Sequence, residues 1–417
     1  MAAKAIFLTF RIYQAENTPI VNALPEGKYA NLRLSAHIQH LERSGILVVE
    51  QLLQSKTISR LSVDRAPARI KVIGVGGGGC NCVRRMLTHN VPGVEFCVVN
   101  TDIKSLEMVT HGATVLQIGE NLTHGWGAGG DSKVGARAAE ESSTLLRKAL
   151  KNAELVFITA GMGGGTGTGA APYVAEVAKG MGALAVGVVT TPFSFEGGRR
   201  LNQAIAGVAR LRSYVDNLIV IHNDRLLHFV DHEAGMDEAF RTADEVVTQG
   251  IMSVSELINV PGEINVDFSD VQTIMAHPGG ALMAMGVGRG NMGALEAARQ
   301  AITNPLLNLS IKGARGVLFS IKGGDDLTLG GVNAAGELIN KTVRKDATIF
   351  FGMSIDNALG DMVKLTMIAT GLKQEGVFES MTGKVRKFVP GLQIKVKAPS
   401  AFSKKGKRVV EIDEFDY

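Results

Sequence analysis

From residue 69 to about residue 231, short apolar runs alternate with longer stretches in which apolar residues recur every three or four positions. The runs predict buried strands and the longer stretches predict helices. The strands are predicted at 69–73, 94–99, 155–159, 183–190 and 217–221, and the helices at 133–150, 170–179 and 201–214. Such alternation is typical of a parallel sheet with helices on both faces, which binds ligands at the carboxyl ends of its strands.

One long helix is predicted after this region. Apolar residues recur there at spacings of three and four, at Phe240, Ala243, Val247, Ile251, Val254 and Ile258. They indicate an amphipathic helix over 237–259, which at 1.5 Å per residue spans roughly 30 Å. Beyond it, helices are predicted at 293–302 and 333–343 and strands at 316–322, 348–354 and 362–370. This second set predicts a smaller α/β domain with helices on one sheet face.

A glycine-rich stretch from Gly161 to Gly169 lies between a predicted strand and a helix expected to begin near Ala170, with Pro172 in its first turn. Glycines let backbone N–H groups approach phosphate oxygens, and the helix N-terminus adds partial positive charge. Thr166 and Thr168 add hydroxyl groups. The alternative is a tight turn without a ligand, which gives no reason for the entropy cost of so many glycines.

A second glycine-rich loop, 74–81, follows the strand predicted at 69–73. Gly74, Gly76 and Gly79 fit the G-x-G-x-x-G spacing, and Asp102 follows at about the distance of a ribose-binding acid. Alone, this pattern suggests a nicotinamide-dependent dehydrogenase. Neither loop contains G-x-x-x-x-G-K-[ST], which excludes a P-loop. Two phosphate loops on successive strand–helix units suit one nucleotide with several phosphates.

Together the two loops resemble the FtsZ/tubulin family, because 163–169 reads GGGTGTG. Further motifs follow in the family's order over roughly 70–372, at 100–102, 127–129, 192–197, 223–224 and 265–270. The sequence is more similar to bacterial FtsZ than to tubulin. The resemblance implies an α/β fold with a Rossmann-like parallel-sheet GTPase domain, a long central helix and a smaller C-terminal α/β domain.

The resemblance also implies a GTP/GDP site, with Mg²⁺ held through the nucleotide phosphates. Its nucleotide-binding residues are Gly77, Gly78, Gly79, Cys80, Asn81, Cys82, Gly127, Ala128, Gly129, Gly163, Gly164, Gly165, Thr166, Gly167, Thr168, Gly169, Glu196, Arg200, Asn223, Phe240 and Asp244. Glu196 would accept hydrogen bonds from the ribose and Arg200 would reach toward the nucleotide, although a solvated surface pair is the alternative. The chain departs from the family at His124, where Arg is usual, and at 131–132, where Asn-Pro is usual.

Asn223 and Asp244 are the expected purine-reading residues. A carboxylate can accept from both N1–H and the exocyclic amine of guanine, whereas adenine has no N1–H, so Asp244 favours GTP over ATP. Phe240 lies one helical turn earlier and can stack on the base; an ordinary core phenylalanine is the alternative.

Asn265, Asp267 and Asp270 follow the long helix and are the predicted catalytic residues. The two carboxylates could orient and polarise the attacking water, but they cannot reach a nucleotide bound at the start of that helix. A head-to-tail neighbour could present them to it, and such a contact repeats into a filament. The resemblance implies the same shared site. The alternative is that both acids only cap a turn between domains.

The composition of the chain argues against nucleic-acid binding, membrane insertion and a disulfide-bonded or zinc-binding protein. The 417 residues carry a net charge of +4, too small a bias to indicate nucleic acid. No apolar run reaches membrane-spanning length, so we expect a soluble chain without direct membrane insertion. The cysteines, Cys80, Cys82 and Cys97, indicate a reducing compartment rather than disulfides, and a zinc site would need more ligands. We therefore expect no protein-bound metal site.

Five segments are expected along the chain. They are an N-terminal extension of unknown role over 1–68, a GTP-binding domain over 69–236, the central helix at 237–260, a C-terminal α/β domain over 261–373 and a basic, flexible tail over 374–417. Within the extension, 6–13 could form a strand and 41–53 a helix. The tail lacks the family's D-I-P-x-F-L-R peptide, so the usual docking on membrane tethers is not supported.

The leading hypothesis is a GTP-hydrolysing, self-polymerising cytoskeletal protein, located in the cytoplasm at the division site, where it forms the midcell ring with other division proteins. A dinucleotide-dependent oxidoreductase would explain the 74–79 loop and Asp102, but not the motifs at 163–169 and 265–270. A nucleotide-binding regulator that does not hydrolyse is allowed by the departures at His124 and Asp131.

Overall fold

A computed structural model describes residues 68–89, 93–109, 111–227, 235–303 and 311–372. The strand predicted at 6–13, the helix predicted at 41–53 and the tail over 374–417 lie outside the described residues.

The region up to residue 227 contains six strands and eight helices among the described residues. The strands are β1 Ile70–Val75, β2 Val94–Asn100, β3 Ala113–Gln117, β4 Leu155–Gly161, β5 Leu184–Thr191 and β6 Asn217–His222. The helices are α1 Gly76–Met86, α2 Ile103–Glu107, α3 Glu120–Thr123, α4 Ser132–Glu141, α5 Ser143–Leu150, α6 Gly165–Gly180, α7 Gly198–Arg212 and α8 Asn223–Leu226. The five predicted strands are confirmed, and β3, which lacks a buried apolar run, was missed.

Two helix predictions were wrong in detail. The helix predicted at 133–150 is two helices, because Ser142 interrupts it and its hydroxyl accepts a hydrogen bond from Gly119 N at 3.0 Å. Helix α6 begins at Gly165 rather than near Ala170, so Pro172 lies inside it and not in its first turn. Packing stabilises this glycine-rich start: a Cβ on Gly169 would collide with the Ser132 carbonyl of α4.

The chain continues with α9 Met236–Asn259, α10 Phe268–Met275, β7 Gly280–Arg289, α11 Gly293–Thr303, β8 Gly316–Gly323, α12 Leu329–Thr342, β9 Thr348–Ile355 and β10 Met362–Leu372. The long helix α9 is confirmed, and four of its six predicted apolar positions are buried; Phe240 and Ile258 are partly exposed. Helix α10 and strand β7 were not predicted.

All ten described strands join in one sheet, in the order β3-β2-β1-β4-β5-β6-β7-β10-β8-β9. Strands β1 to β6 are parallel, as predicted for the five of them that were expected. A short parallel contact, Ile219 with Ala281, connects β6 to β7, and β10 runs antiparallel to β7 and β8. The carboxyl ends of β1, β2, β4, β5 and β6 therefore lie along one edge of the parallel part.

Three buried clusters surround this sheet. One lies between the parallel strands and helices α1, α9 and α10, and a second packs helices α4 to α7 on the opposite face. The third packs α11 and α12 on the C-terminal strands, so the helix-covered face predicted there is confirmed. The other face of those strands contributes Leu318 and Ile368 to the cluster around α9. Within the described ranges, no helix is long and apolar enough to cross a membrane.

Candidate nucleotide-binding site

The glycine-rich loops after β1 and β4 pack directly against each other. A Cβ on Gly76 would lie 2.7 Å from Gly167 N, and a Cβ on Gly167 would lie 3.2 Å from Val75 O at the end of β1. Gly76 also has φ +71°, which L side chains rarely adopt. Gly76 and Gly167 therefore need to be glycine to bring the two backbones together, whether or not a phosphate is bound.

Other glycines of the loops have open space where a side chain would stand. A Cβ on Gly77, Gly164, Gly129 or Gly130 would meet nothing within 4 Å. Helix α6 begins at Gly165, and the first N–H groups of a helix have no intrahelical acceptor. Open backbone beside a helix N-terminus forms an anion site, so the loops fit the phosphates of a nucleotide.

In the loop after β4, the hydroxyl groups of Thr166 and Thr168 form hydrogen bonds within the protein. Thr166 Oγ1 lies 2.6 Å from Thr101 Oγ1 and ties α6 to the end of β2. Thr168 Oγ1 accepts a hydrogen bond from Gly163 N at 2.8 Å and holds the loop onto its own helix. Both side chains are buried. These hydrogen bonds fix the shape of the loop. Direct contacts of the two hydroxyl groups with phosphate stay a prediction.

The third loop, residues 124–130, has positive φ at five of its seven residues. His124 has φ +50°, and Gly125, Gly127, Gly129 and Gly130 also have positive φ. Gly127 N donates to Thr101 O at 3.2 Å, which places the loop beside the end of β2. At the loop's tip, 84% of Trp126 is exposed.

The family departure at Asp131 is compatible with the fold of this loop. Asp131 is the N-cap of α4, where its carboxylate accepts from Lys133 N at 2.7 Å. Asp and Asn are equally favourable N-cap residues.

Asp102 is the ribose-binding acid of the oxidoreductase alternative. Its carboxylate accepts from Lys104 N at 3.1 Å and from Ser105 Oγ at 2.6 Å. Those local contacts fix it as the cap of α2.

The predicted purine-reading carboxylate lies near the start of α9. Asp244 Oδ1 accepts from Cys82 Sγ at 3.1 Å, and Oδ2 accepts from Arg85 Nε at 3.1 Å, so α1 and α9 are linked here. Burial raises the pKa of Asp244, while the contacts with Cys82 and Arg85 oppose that rise.

Asn223 carries the clearest indication of a ligand among these residues. It begins α8, is 5% exposed, and its Oδ1 has no hydrogen-bond partner within the described part of the chain. A buried unpaired oxygen is costly, and a donor on a bound ligand would satisfy it.

An aromatic group lies at the start of the same helix. The ring of Phe240 packs edge-on against Phe193, with centroids 5.2 Å apart, and Phe193 stacks on Phe195 at 5.0 Å. Phe193 is fully buried, whereas Phe240 and Phe195 are 37% and 54% exposed. Phe240 and Phe195 both pack on the buried ring of Phe193, and their exposed parts form an apolar surface on which a purine could stack.

Glu196 and Arg200 form an ion pair in which Arg200 is mostly exposed and Glu196 is mostly buried, so the ribose-binding role and the surface-pair alternative both stay open. Arg200 Nη1 donates to Glu196 Oε2 at 2.5 Å, and Phe193 N donates to Glu196 Oε1 at 2.9 Å.

Asp224 holds the segment that contains Glu196: its carboxylate accepts from Ser194 N at 2.7 Å and from Ser194 Oγ at 2.5 Å. Sequence reasoning included Asp224 only as part of a motif, without this role.

Gln203 was missed altogether. Its Nε2 lies within hydrogen-bond distance of three carbonyl oxygens, those of Gly164 (2.8 Å), Gly130 (3.0 Å) and Gly163 (3.3 Å). The signal was weak, because Gln203 lies in an amphipathic helix among ordinary polar positions.

The predicted catalytic residues are not brought to the glycine loops. Asn265 Oδ1 accepts from Gly262 N at 2.7 Å. Asp267 and Asp270 form a capping box at the start of α10, in which Asp267 N donates to Asp270 Oδ2 at 3.3 Å. The helix from Asp244 to Asn259 spans about 22 Å at 1.5 Å per residue. These residues therefore lie at the opposite end of α9 from Phe240 and Asp244, the predicted base-binding residues of that helix.

The cysteines around β1 and β2 are not candidate nucleophiles, and the predicted contacts of Cys80 and Cys82 with the nucleotide stay a prediction. Cys80, Cys82 and Cys97 are buried and free, and burial raises the pKa of Cys80 and of Cys97 to about 12. Thiols with such a high pKa are poor nucleophiles. Among the described residues, no group of three or more His, Cys, Asp or Glu side chains could hold a metal ion.

Comparison with known proteins assigns both halves of the described chain. The family model described as "Tubulin/FtsZ family, GTPase domain" matches residues 69–231, and the one described as "FtsZ family, C-terminal domain" matches 279–373. Among solved structures, the chain is similar to the FtsZ dimer of M. jannaschii at 39% identity, over 76% of this chain and 91% of that chain, with a TM-score of 0.70.

Two further structures extend the comparison. A point mutant of M. jannaschii FtsZ is 37% identical over 79% of this chain and 96% of that chain, with a TM-score of 0.70. CetZ2 from Haloferax volcanii, described as a GTPγS-bound protofilament, is 22% identical over 76% of this chain and 98% of that chain, with a TM-score of 0.65. At that identity CetZ2 shares the fold alone.

Proposed function

The chain belongs to the tubulin/FtsZ family and is a GTPase, and from this premise we propose that it polymerises head to tail and hydrolyses GTP at the contact between two copies. One observation carries the proposal: the base-binding candidates Phe240 and Asp244 lie near the start of α9, where Asp244 contacts Cys82 of α1, whereas the Asn265–Asp270 segment follows the other end of α9. Neither end holds a complete site. In a head-to-tail contact, the segment of one copy faces the loops of the next, and the contact repeats into a filament.

In this proposal each part of the pocket has a separate task. The open glycines and the start of α6 bind the phosphates. The Glu196–Arg200 pair binds the ribose side, Asn223 and Asp244 read the guanine, and Phe240 stacks on it. Asp267 and Asp270 of the neighbouring copy orient and polarise the attacking water. Mg²⁺, carried by the nucleotide phosphates, would supply positive charge against the charge that develops in hydrolysis.

We further propose that the filaments act at the division site as a ring in the cytoplasm. The identity of 39% to an FtsZ, against 22% to CetZ2, supports this assignment within the family. The M. jannaschii relative is described as a dimer, which supports contacts between copies. Other division proteins would be partners, although the tail lacks the usual docking peptide.

The proposed function is tested with a panel of nucleotides. Purified protein is incubated with GTP, ATP or NADH while phosphate release and light scattering are followed together. GTP alone should give both signals, and phosphate release per molecule should rise with protein concentration, because each site needs two copies. Turnover that does not depend on concentration, or oxidation of NADH, would contradict the proposal.

Trp126 gives an internal probe of the third loop, because it is the chain's single tryptophan and is mostly exposed. The resemblance to the FtsZ/tubulin family places the loop containing it near the terminal phosphate, which GDP lacks, and we expect the loop to close on that phosphate. We therefore predict different tryptophan emission spectra at saturating GDP and at saturating GTP, recorded with Asp270→Asn protein to limit hydrolysis. Identical spectra would show that the loop does not sense that phosphate.

A further inference from the structure

We propose that Gln203 is a positioning residue for the terminal phosphate of GTP, through its contacts with two glycine loops. The inference rests on the proposed function, in which the open glycines and the start of α6 bind the phosphates and the loop ending at Gly130 closes on the terminal one. Gln203 extends from α7, and its amide nitrogen is 2.8 Å from Gly164 O and 3.0 Å from Gly130 O. The two carbonyls are far apart in sequence, and one side chain joins them.

The contacts determine which side of the loop backbone faces the ligand. In a trans peptide the C=O of one residue and the N–H of the next point in opposite directions. Because Gly163 O and Gly164 O both point at Gln203 Nε2, the N–H groups of Gly164 and Gly165 point away from it. Those N–H groups belong to the open part of the loop and to the first residue of α6.

The backbone alone holds only part of this orientation: the Gly164 carbonyl is the N-cap carbonyl of α6, but the other two contacts involve glycine backbone outside the helix. Gly163 has φ +103°, and Gly129 and Gly130 have φ +59° and +80°. Glycine populates positive and negative φ about equally, so each of these peptide units can rotate at little steric cost. The Gln203 amide selects one orientation, and helix α7, against which Gly163 is packed, fixes the position of Gln203.

Loss of the Gln203 amide should weaken GTP binding more than GDP binding, for an electrostatic reason. Three carbonyl oxygens converge on one amide nitrogen, and its hydrogens offset their mutual repulsion. Without that amide, the carbonyls can rotate toward the pocket and present partial negative charge to the phosphates. The terminal phosphate, which GDP lacks, adds negative charge at this position and would be most affected.

The experiment compares nucleotide affinities of three variants with those of the parent protein. Gln203→Met keeps the length of the side chain and removes its donors, and Gln203→Glu keeps its shape but places an acceptor against the carbonyls. Gln249→Met is the matched control, because the Gln249 amide contacts Glu245 on the exposed side of α9. Dissociation constants for GTP, GDP and guanosine are measured by calorimetry, and thermal unfolding is recorded for each variant.

The ratio of the GDP to the GTP dissociation constant is the deciding measurement. Gln203→Met should weaken GTP binding by about tenfold, the scale of one lost hydrogen bond, and GDP binding by less, with guanosine binding unchanged. Gln203→Glu should lower the ratio further, and Gln249→Met should leave it at the parent value.

A purely structural role would give a different pattern. Equal weakening of GTP, GDP and guanosine together with a lower unfolding temperature, or an unchanged ratio in both Gln203 variants, would overturn the inference. If Gln203→Met does not fold, Gln203→Glu decides alone by the same ratio. A parent protein that binds no GTP would overturn the proposed function and the inference with it, whereas normal parent binding with an unchanged ratio would overturn the inference only.

Discussion

Asp270→Asn should leave GTP binding at the parent level and lower GTP turnover by a factor on the order of 10² to 10⁴, the range typical of general acid–base groups. In the proposed shared site, Asp270 belongs to the neighbour's half and acts on the attacking water, not on the groups that bind the nucleotide. GTP affinity and phosphate release are measured on the same preparation. A variant that loses binding and turnover together would contradict the assignment.

The capping box makes the choice of substitution important. Asp270 Oδ2 accepts from Asp267 N at 3.3 Å, so Asp270→Ala would also remove one half of the capping box of α10, at a cost of up to about 1 kcal/mol. Asparagine retains an oxygen that can accept this hydrogen bond and removes only the charge. Asp361→Asn is the matched control, an exposed carboxylate that pairs with Arg289 at 3.6 Å and should leave turnover unchanged. If both variants lower turnover equally, a specific role for Asp270 is excluded.

Asp244→Ala should weaken GTP binding by about 2 to 3 kcal/mol, the scale of lost hydrogen bonds to a charged group, while ATP binding stays poor. The substitution removes the acceptor for guanine and also leaves Arg85 without its partner at 3.1 Å. Glu245→Ala, at the neighbouring exposed position of α9, is the control for general effects on the helix. Equal affinities of the parent protein for ATP and GTP would exclude guanine recognition by Asp244.

Recognition of guanine by Asp244 also predicts that guanosine affinity depends on pH. Only the ionised carboxylate can accept both guanine hydrogens, and burial raises the pKa of Asp244 above that of an ordinary aspartate. Guanosine affinity should therefore fall as the pH is lowered through this raised pKa. Arg85→Leu removes a group that opposes the rise, so the fall should begin at a higher pH. Guanosine serves as the ligand here, because it has no phosphate that titrates.

The sequence predicted the elements that are buried over most of their length or along one regular face. Strand β4 is an uninterrupted apolar run, and α9 repeats its apolar positions at helical spacing, so both were found within a few residues of their ends. Strand β3 lies at the sheet edge and is half exposed, which removes that signal. Helix α6 starts earlier than predicted because close packing on α4 stabilises glycines that on their own disfavour a helix.

The site could be predicted only as far as local motifs extend. The glycine loops could be read as phosphate loops because their chemistry lies in consecutive residues. The Asp244–Arg85 ion pair joins residues 159 positions apart, and the contact of Gln203 with Gly130 spans 73. No spacing rule predicts such pairs, because they depend on how α1, α7 and α9 pack around the loops.

The shared site is tested most directly by mixing two inactive variants. Asp270→Asn protein has an intact pocket and a defective catalytic segment, whereas Asp244→Ala protein has the reverse. Phosphate release is measured for each alone and for equimolar mixtures at the same total concentration, with GTP below the level that Asp244→Ala protein can bind. The account predicts that the mixture hydrolyses GTP well above the sum of its parts, because the intact segment of one copy serves the intact pocket of the next. Activity of the mixture no greater than that sum would contradict it.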